Sequence, residues 1–389
     1  MKETIDMLFA LLRSVLCAEK LDKSNFKDFD GEKIELLYKV SKKHDMAHIV
    51  GVALNNAGLL NDSDLAGKFT KQQLLAVYRC ENFEYELKRI CDVFEKAQIP
   101  HIPLKGSVIR TLYPEPWMRT SCDIDVLVHE EDIDQAIQAL VDVGYRAEDN
   151  WNYHDISLHS ESGVHLELHF SIKENIKELD AVLSGVWEYA HPLMDSVRYE
   201  LSPEFVVFYT VAHMSYHFVS GGCGIRPFAD LWYINKKLDY DEKKVIELCR
   251  QCELLDFYYA VKMLVDVWYS GKEHNELTLR MEQFIIVGGV YGAQEQHIAI
   301  QQSKKGSKLE HIRSILFPKY EKLKMIYPTI KSRAQMPIYQ VRHWIDVIKD
   351  RDRTKKSIKR LKTSVSLESD KVDEVGRLIN DLNLNKYTK

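Results

Sequence analysis

The 389-residue sequence has no long apolar run, few glycines and prolines, and almost no excess of either charge. Each absence removes a class of protein. The longest apolar segments fall short of the roughly 18 residues that a bilayer-crossing helix needs, so no membrane partner is expected. Seventeen glycines and ten prolines are too few for a collagen-like or low-complexity linker chain. Fifty-three basic against 58 acidic residues leave a net charge of -5, too small for global disorder or a general polyanion binder. What remains, 45% hydrophobic and 29% charged, is an ordinary globular composition. At usual domain sizes the length suggests two or three domains.

An even cysteine count is also missing. Cys17, Cys80, Cys91, Cys122, Cys223, Cys249 and Cys252 are scattered, whereas a secreted disulfide framework favours an even number in a shorter chain. Reduced thiols and a cytoplasmic location are the expectation. Cys249 and Cys252 form a C-x-x-C in a helical pattern, without a second pair for zinc or a preceding strand for redox chemistry, and read as packing. The first twenty residues resemble a signal peptide only superficially. Asp6 and Arg13 interrupt the apolar run, and Ile5, Leu8, Phe9, Leu12, Val15 and Leu16 recur at helical spacing, as in a packed amphipathic helix.

Residues 1–98 read as helical, with helices over 33–48 and 69–97 and a turn and cap at Asn61-Asp62-Ser63-Asp64. Two prolines in Ile99-Pro100-His101-Ile102-Pro103 mark a change to extended chain. Segment 123–128 (DIDVLV) has the β-branched content of a buried strand. Segment 130–144 is an amphipathic helix ending at Gly144, and 153–160 and 164–170 alternate as a hairpin around Glu161-Ser162-Gly163. Beyond 175 the pattern is helical again, over 203–220, 227–238, 241–270, 276–300, 335–362 and 366–383, with breaks at Pro318 and Pro328. The expected class is α+β. A small mixed β-sheet core (99–172) is flanked by an N-terminal helical region (1–98) and a C-terminal helical region (173–389), with the active site between core and C-terminal helices.

The chemistry concentrates in 104–125. Side chains alternate along a strand, so Asp123 and Asp125 share one face and Ile124 and Val126 the other. Two carboxylates that close raise one pKa unless a cation lies between them, and a hard divalent ion such as Mg²⁺, completed by phosphate oxygens, uses this arrangement. Upstream, Gly106-Ser107 follows a short apolar strand, and glycine there lets backbone N–H groups approach a phosphate. Downstream, His165, Glu167 and His169 alternate with Val164, Leu166, Leu168 and Phe170. A strand over 164–170 beside 123–128 brings Glu167 to Asp123 and Asp125, and three carboxylates suit a two-metal phosphoryl-transfer site.

The order Lys105-Gly106-Ser107, Asp123-Ile124-Asp125, then Glu167 resembles the DNA polymerase β-type nucleotidyltransferase superfamily. More narrowly, Leu104-Lys105-Gly106, Arg119 before the Asp-x-Asp, Glu167-Leu168-His169 and a later helix bearing His213, Arg226 and Asp230 resemble an uncharacterised bacterial nucleotidyltransferase family. Phe317-Pro318 and Tyr327-Pro328 resemble its C-terminal part, so the likeness runs over most of 35–350. A Tyr113-Pro114-Glu115-Pro116-Trp117 loop makes the spacing from Ser107 to Asp123 longer than is usual. The resemblance implies an NMP moved from an NTP, with ATP the expected one, to a hydroxyl or phosphate acceptor, with release of pyrophosphate. Asp123, Asp125 and Glu167 would hold two Mg²⁺ ions, with Mn²⁺ as a substitute, and Glu167 would help deprotonate the acceptor. Gly106 and Ser107 would contact phosphates, and Lys105 and Arg119 would neutralise the triphosphate.

Several residues admit plainer roles. Because Mg²⁺ prefers oxygen, His165 and His169 are expected to support the site or face substrate. His213 and His217 have the i, i+4 spacing of a zinc pair, but the intervening zincin glutamate is absent, so a substrate-facing or structural role is expected. Arg226 and Asp230, also i, i+4, read as a helix-face ion pair or as substrate contacts. In 351–362 seven basic residues meet one acidic residue; without interleaved aromatics this reads as a solvated face more than a nucleic-acid surface. Two alternatives remain, a catalytically silent interaction or regulatory protein, and a toxin-like enzyme that modifies tRNA or protein.

Overall fold

The computed structural model describes residues 1–26, 29–60, 63–149, 151–290, 292–305 and 307–388. The expected α+β class stands. A five-stranded mixed sheet is built from β1 (His101–Pro103), β2 (Asp123–Val128), β3 (Arg146–Ala147), β4 (Asp155–His159) and β5 (His165–His169), in the order β1-β2-β5-β4-β3. β2 runs parallel to β5, and the other pairs are antiparallel. A separate hairpin pairs β6 (Ala190–Pro192) with β7 (Tyr199–Leu201).

The alternation in the sequence decides the two faces of the sheet. Register pairs Asp123 with His165, Asp125 with Glu167 and Leu127 with His169, so one face gathers carboxylates and imidazoles. The other face is apolar. Ile124, Val126, Ile156, Leu158, Leu166 and Leu168 bury against Phe83, Ile90 and Phe94 of the Ser63–Ala97 helix and Ile133, Ala136 and Leu140 of the Ile133–Asp142 helix. A larger core joins helices from both ends of the chain. Phe9 of the Lys2–Leu16 helix stacks on Trp268 at 4.5 Å, and Tyr233 Oη donates to the Leu16 carbonyl at 2.6 Å. Phe69 at the start of the Ser63–Ala97 helix lies in this second core, so that one long helix spans both.

The structure corrects several expected boundaries. The 33–48 helix ends at Lys43, and Ala47–Ala57 forms a helix the pattern did not announce, with Asp45 at φ +56° between them. The 241–270 helix is two, Glu242–Gln251 and Leu255–Ser270, divided where Glu253 takes φ +58°. The 276–300 helix divides into Glu276–Gly288 and Gln294–Lys305. Between them Gly292 lies against Gly221, where an added Cβ would come within 2.7 Å of backbone carbon. The 335–362 helix breaks at Asp350, whose carboxylate accepts from the N–H groups of Asp352 and Arg353 and starts a new helix, Arg351–Ser366. β3, the β6–β7 hairpin and the Lys177–Leu183 helix were not expected. Asn61 and Asp62 of the expected turn and cap lie outside the described residues. Cys249 and Cys252 are both fully buried, in keeping with packing. No helix among the described residues is long and apolar enough to cross a membrane.

Candidate functional site

Asp125 is the centre of the polar sheet face. It is 4% exposed, accepts from Lys105 Nζ at 2.8 Å, and lies 3.0 Å from His169 Nε2. Burial alone would raise its pKa, but Lys105 and His169 outweigh it and hold the carboxyl well below its ordinary range. His169, which burial would make less basic, is instead pushed up to about 9 by its bonds to Asp125 and to Glu167, 3.6 Å away. Asp123 is in the opposite condition. Its half-buried carboxylate has no hydrogen-bond or ion-pair partner among the described residues, and burial, then the charges of Asp125 and Glu167, raise its pKa. The ligand atoms of Asp123, His165 and Glu167 lie within 4.8 Å of one another, as do those of Asp125, Glu167 and His169, so Glu167 belongs to both groups. His165 Nε2 is also 3.0 Å from Ser157 Oγ.

Lys105 reaches Asp125 from a turn with unusual backbone. It takes φ +45°, ψ −115°, a region that L-residues rarely occupy and that recurs where function fixes the chain. Gly106 follows for want of space: a Cβ there would lie 2.3 Å from Arg119 Nη1 and 2.3 Å from Ser121 Oγ. Gly106 faces the cavity described below, whereas the Ser107 hydroxyl turns to the Asp125 carbonyl at 3.5 Å and its N–H bonds the Leu104 carbonyl.

The expected Arg226–Asp230 helix-face pair is replaced by two longer-range contacts. Asp230 accepts from Arg119 Nε and Nη2 at 3.3 and 3.0 Å and from the Tyr113 hydroxyl at 2.8 Å, all three groups buried. Arg226 donates to the Thr120 carbonyl at 2.9 Å and lies 3.7 Å from Asp45. Both side chains act across the fold because the Arg226–Lys237 helix packs against Arg110–Leu112 and its side chains bond Tyr113, Arg119 and Thr120 beyond. The 113–120 loop is held down by Asp230, by His48 Nε2 at the Met118 carbonyl (2.9 Å), and by Thr120 Oγ1 donating to Asp45 (2.5 Å).

These elements enclose a cavity of about 510 Å³ between the Lys105 turn, the start of β2, the β6–β7 hairpin and the helices Pro203–Val219 and Arg226–Lys237. Lys105, Gly106, Asp123, Asp125, His213 and Arg226 all line it, and Glu167 does not. The cavity thus lies between the sheet and the C-terminal helices.

A family model described as an uncharacterised nucleotidyltransferase matches residues 30–270. The chain belongs to that family. The matched stretch of this nucleotidyltransferase holds every expected site residue and the whole sheet, but it ends before Phe317-Pro318 and Tyr327-Pro328, which therefore lie outside the family match. No curated protein matches the chain.

Four neighbours of the site were not foreseen. Tyr113 is one. Asp155 and His154 pair at 2.8 Å, with the His154 ring 5.5 Å from that of His169. Register on β4 opposite His169 could have flagged Asp155. Glu174 contacts His213 at 3.0 Å across 39 positions, and no local signal announces it.

Proposed function

We propose that this site moves a nucleoside monophosphate from an NTP, with ATP the expected donor, to a hydroxyl or phosphate acceptor, releasing pyrophosphate. Membership of a nucleotidyltransferase family makes nucleotidyl transfer the general activity. The observation that carries the finer reading is the unpartnered Asp123, paired in register beside β5 and opening on the cavity that Lys105 and Arg226 share.

The donor set fits a hard divalent cation. Asp125 is already balanced by Lys105 and His169, whereas Asp123 is burdened by two carboxylates and has Glu167 in ligand range. Asp123 and Glu167, with Asp125, would hold Mg²⁺, and when bound it would neutralise triphosphate charge and favour attack at the α-phosphorus. Lys105 keeps Asp125 ionised and, at the cavity wall, stands where phosphate oxygens would enter. Gly106 leaves that wall open. Arg226, half-exposed at the cavity, would pair with the triphosphate, while Arg119 fixes the loop that leads into β2.

A Glu167 remote from Asp123 would favour a catalytically silent protein, yet their ligand atoms lie within 4.8 Å of one another. Calorimetry with Mg²⁺ and a non-hydrolysable ATP analogue tests the proposal. Wild type should bind in a Mg²⁺-dependent manner and the Asp123→Ala/Asp125→Ala protein should not. Equal binding by both, or none by either, refutes it.

A further inference from the structure

The resemblance to other nucleotidyltransferases implies that Glu167 assists in removing the acceptor proton, but Glu167 does not line the cavity. Two histidines do. Across from the carboxylates the cavity is walled by one face of the Pro203–Val219 helix, where Tyr209, His213 and His217 follow one another at four-residue intervals. Glu174, 7% exposed on the loop after β5, places Oε1 3.0 Å from His213 Nδ1. His213 Nε2 in turn lies 2.9 Å from His217 Nε2. The result is a continuous carboxylate–imidazole–imidazole chain that ends at the cavity.

The protonation states follow from the surroundings. Burial would raise the pKa of Glu174, but the His213 bond outweighs it and the carboxyl is held below its ordinary value, so Glu174 accepts and His213 Nδ1 carries the proton. Burial first of all, with the charges of Lys105 and Arg226 adding to it, pushes His217 down to about 2, so it is neutral. His213 Nε2 is then the accepting atom, with its hydrogen-bond partner at the cavity wall. A carboxylate that fixes the tautomer of an imidazole whose other nitrogen faces a cavity is the arrangement of a general base. A purely structural role would be served as well by apolar side chains, since a buried polar chain yields little net stability.

We propose that His213 is the base that takes the proton of the acceptor hydroxyl, with Glu174 and His217 as positioning residues. The inference rests on the nucleotidyl-transfer reading above. The hydroxyl replaces His217 as the partner of His213 Nε2. Its oxygen forms a bond to the α-phosphorus, the bond from that phosphorus to the oxygen bridging to the β-phosphate breaks, and pyrophosphate leaves with the electron pair. The hydroxyl proton passes to His213 Nε2, and Glu174 balances the imidazolium until the proton is lost to solvent. A hydroxyl-bearing acceptor small enough to share the cavity with the nucleotide is the substrate class this geometry takes.

The experiment follows radiolabelled ATP, with Mg²⁺ and with water or glycerol as the hydroxyl probe, from about pH 5 to about pH 9. AMP and its glycerol ester are the readouts. His213→Gln should lower kcat/KM by on the order of 100-fold or more and flatten the acid limb, with Mg²⁺-dependent binding of the ATP analogue unchanged. Glu174→Gln, which keeps a hydrogen-bonding side chain, should shift that limb. A thermal melt checks that both variants fold, and a Glu174→Gln protein that folds tests the relay even where His213→Gln does not. Turnover within about threefold of wild type, an unmoved acid limb, or no turnover of either probe by wild type overturns the relay. If wild type fails to bind the ATP analogue, it is the nucleotidyl-transfer reading that fails; if binding is intact and only the pH profiles disagree, the relay alone fails.

Discussion

Asp230→Ala removes the acceptor of three buried hydrogen bonds at once. Arg119 loses contacts at 3.3 and 3.0 Å, and the Tyr113 hydroxyl loses one at 2.8 Å. Arg119 is 7% and Tyr113 6% exposed, so water does not replace Asp230 without disturbing the fold. Breaking a buried ion pair by removing one partner costs about 3–5 kcal/mol, because the other charge remains buried. An orphaned hydroxyl adds about 1–3 kcal/mol. The terms overlap, and Arg119 keeps Nη1 contacts to Ser121 Oγ and the Thr120 carbonyl, so about 4 kcal/mol is expected. At about 2 °C per kcal/mol for a long chain this lowers Tm by about 8 °C. Replacing the pair together, as Arg119→Met/Asp230→Leu, should recover most of the loss, since neither charge then stays buried. Urea denaturation followed by tryptophan fluorescence reads all three proteins. A cost below about 1 kcal/mol for Asp230→Ala, or a double variant weaker than the single one, refutes the reasoning that this pair anchors the 113–120 loop to the cavity wall.

The other expectations are narrower. Gly106→Ala drives a methyl to within 2.3 Å of Arg119 Nη1 and Ser121 Oγ, so it should cost about 1–3 kcal/mol and abolish binding of the Mg²⁺–ATP analogue; an unaffected affinity contradicts it. Burial lowers the pKa of His44 from 6.5 to about 4, so its neutral form is the folded one. Its contribution is full above pH 6.5 and is lost as pH falls, at up to about 1.4 kcal/mol per pH unit, or about 2 kcal/mol between pH 7 and pH 5. Urea titrations of His44→Gln at both pH values should show a slope smaller by that amount, and an equal slope excludes it. Lys355, Lys356 and Lys359 are exposed on the Arg351–Ser366 helix, so neutralising all three should shift stability by no more than about 0.5 kcal/mol. Loss of RNA binding at low salt in that variant would instead favour a nucleic-acid acceptor.

What was legible in the sequence was what depends on alternation and local chemistry. The DIDVLV strand runs over Asp123–Val128 as the β-branched pattern required, and 164–170 sorts its histidines and Glu167 onto one side and its leucines onto the other. The adjacency of these strands was only the condition for the three carboxylates to meet, and it is met where β2 pairs with β5. Helix ends were less legible, because Asp45, Glu253 and Asp350 interrupt helical periodicity through backbone conformation or a cap without breaking the apolar pattern. Partners separated by long stretches of chain, such as Glu174 with His213 or Tyr113 with Asp230, depend on how helices pack on the sheet, and nothing in the local spacing encodes that.

The arginines make this point about charge in the site. Spacing pairs Arg226 with Asp230, and the family resemblance gives Arg119 to the triphosphate. The contacts add to this: Asp230 is 3% exposed and bonded by Arg119 and Tyr113, while Arg226 at the cavity has, among the described residues, the Thr120 carbonyl and the more distant Asp45 carboxylate as partners. The other two cations in the cavity lining are held more closely, Arg119 by Asp230 and Lys105 by Asp125. On the proposed reading, a triphosphate entering the cavity would meet Arg226 as its most available positive group, and would draw on Lys105 by loosening Asp125. A divalent cation brought in with the nucleotide would take over the charge balance of Asp125 as Lys105 turned to phosphate, so that in the resting site Lys105 stands in the place the incoming charge will need.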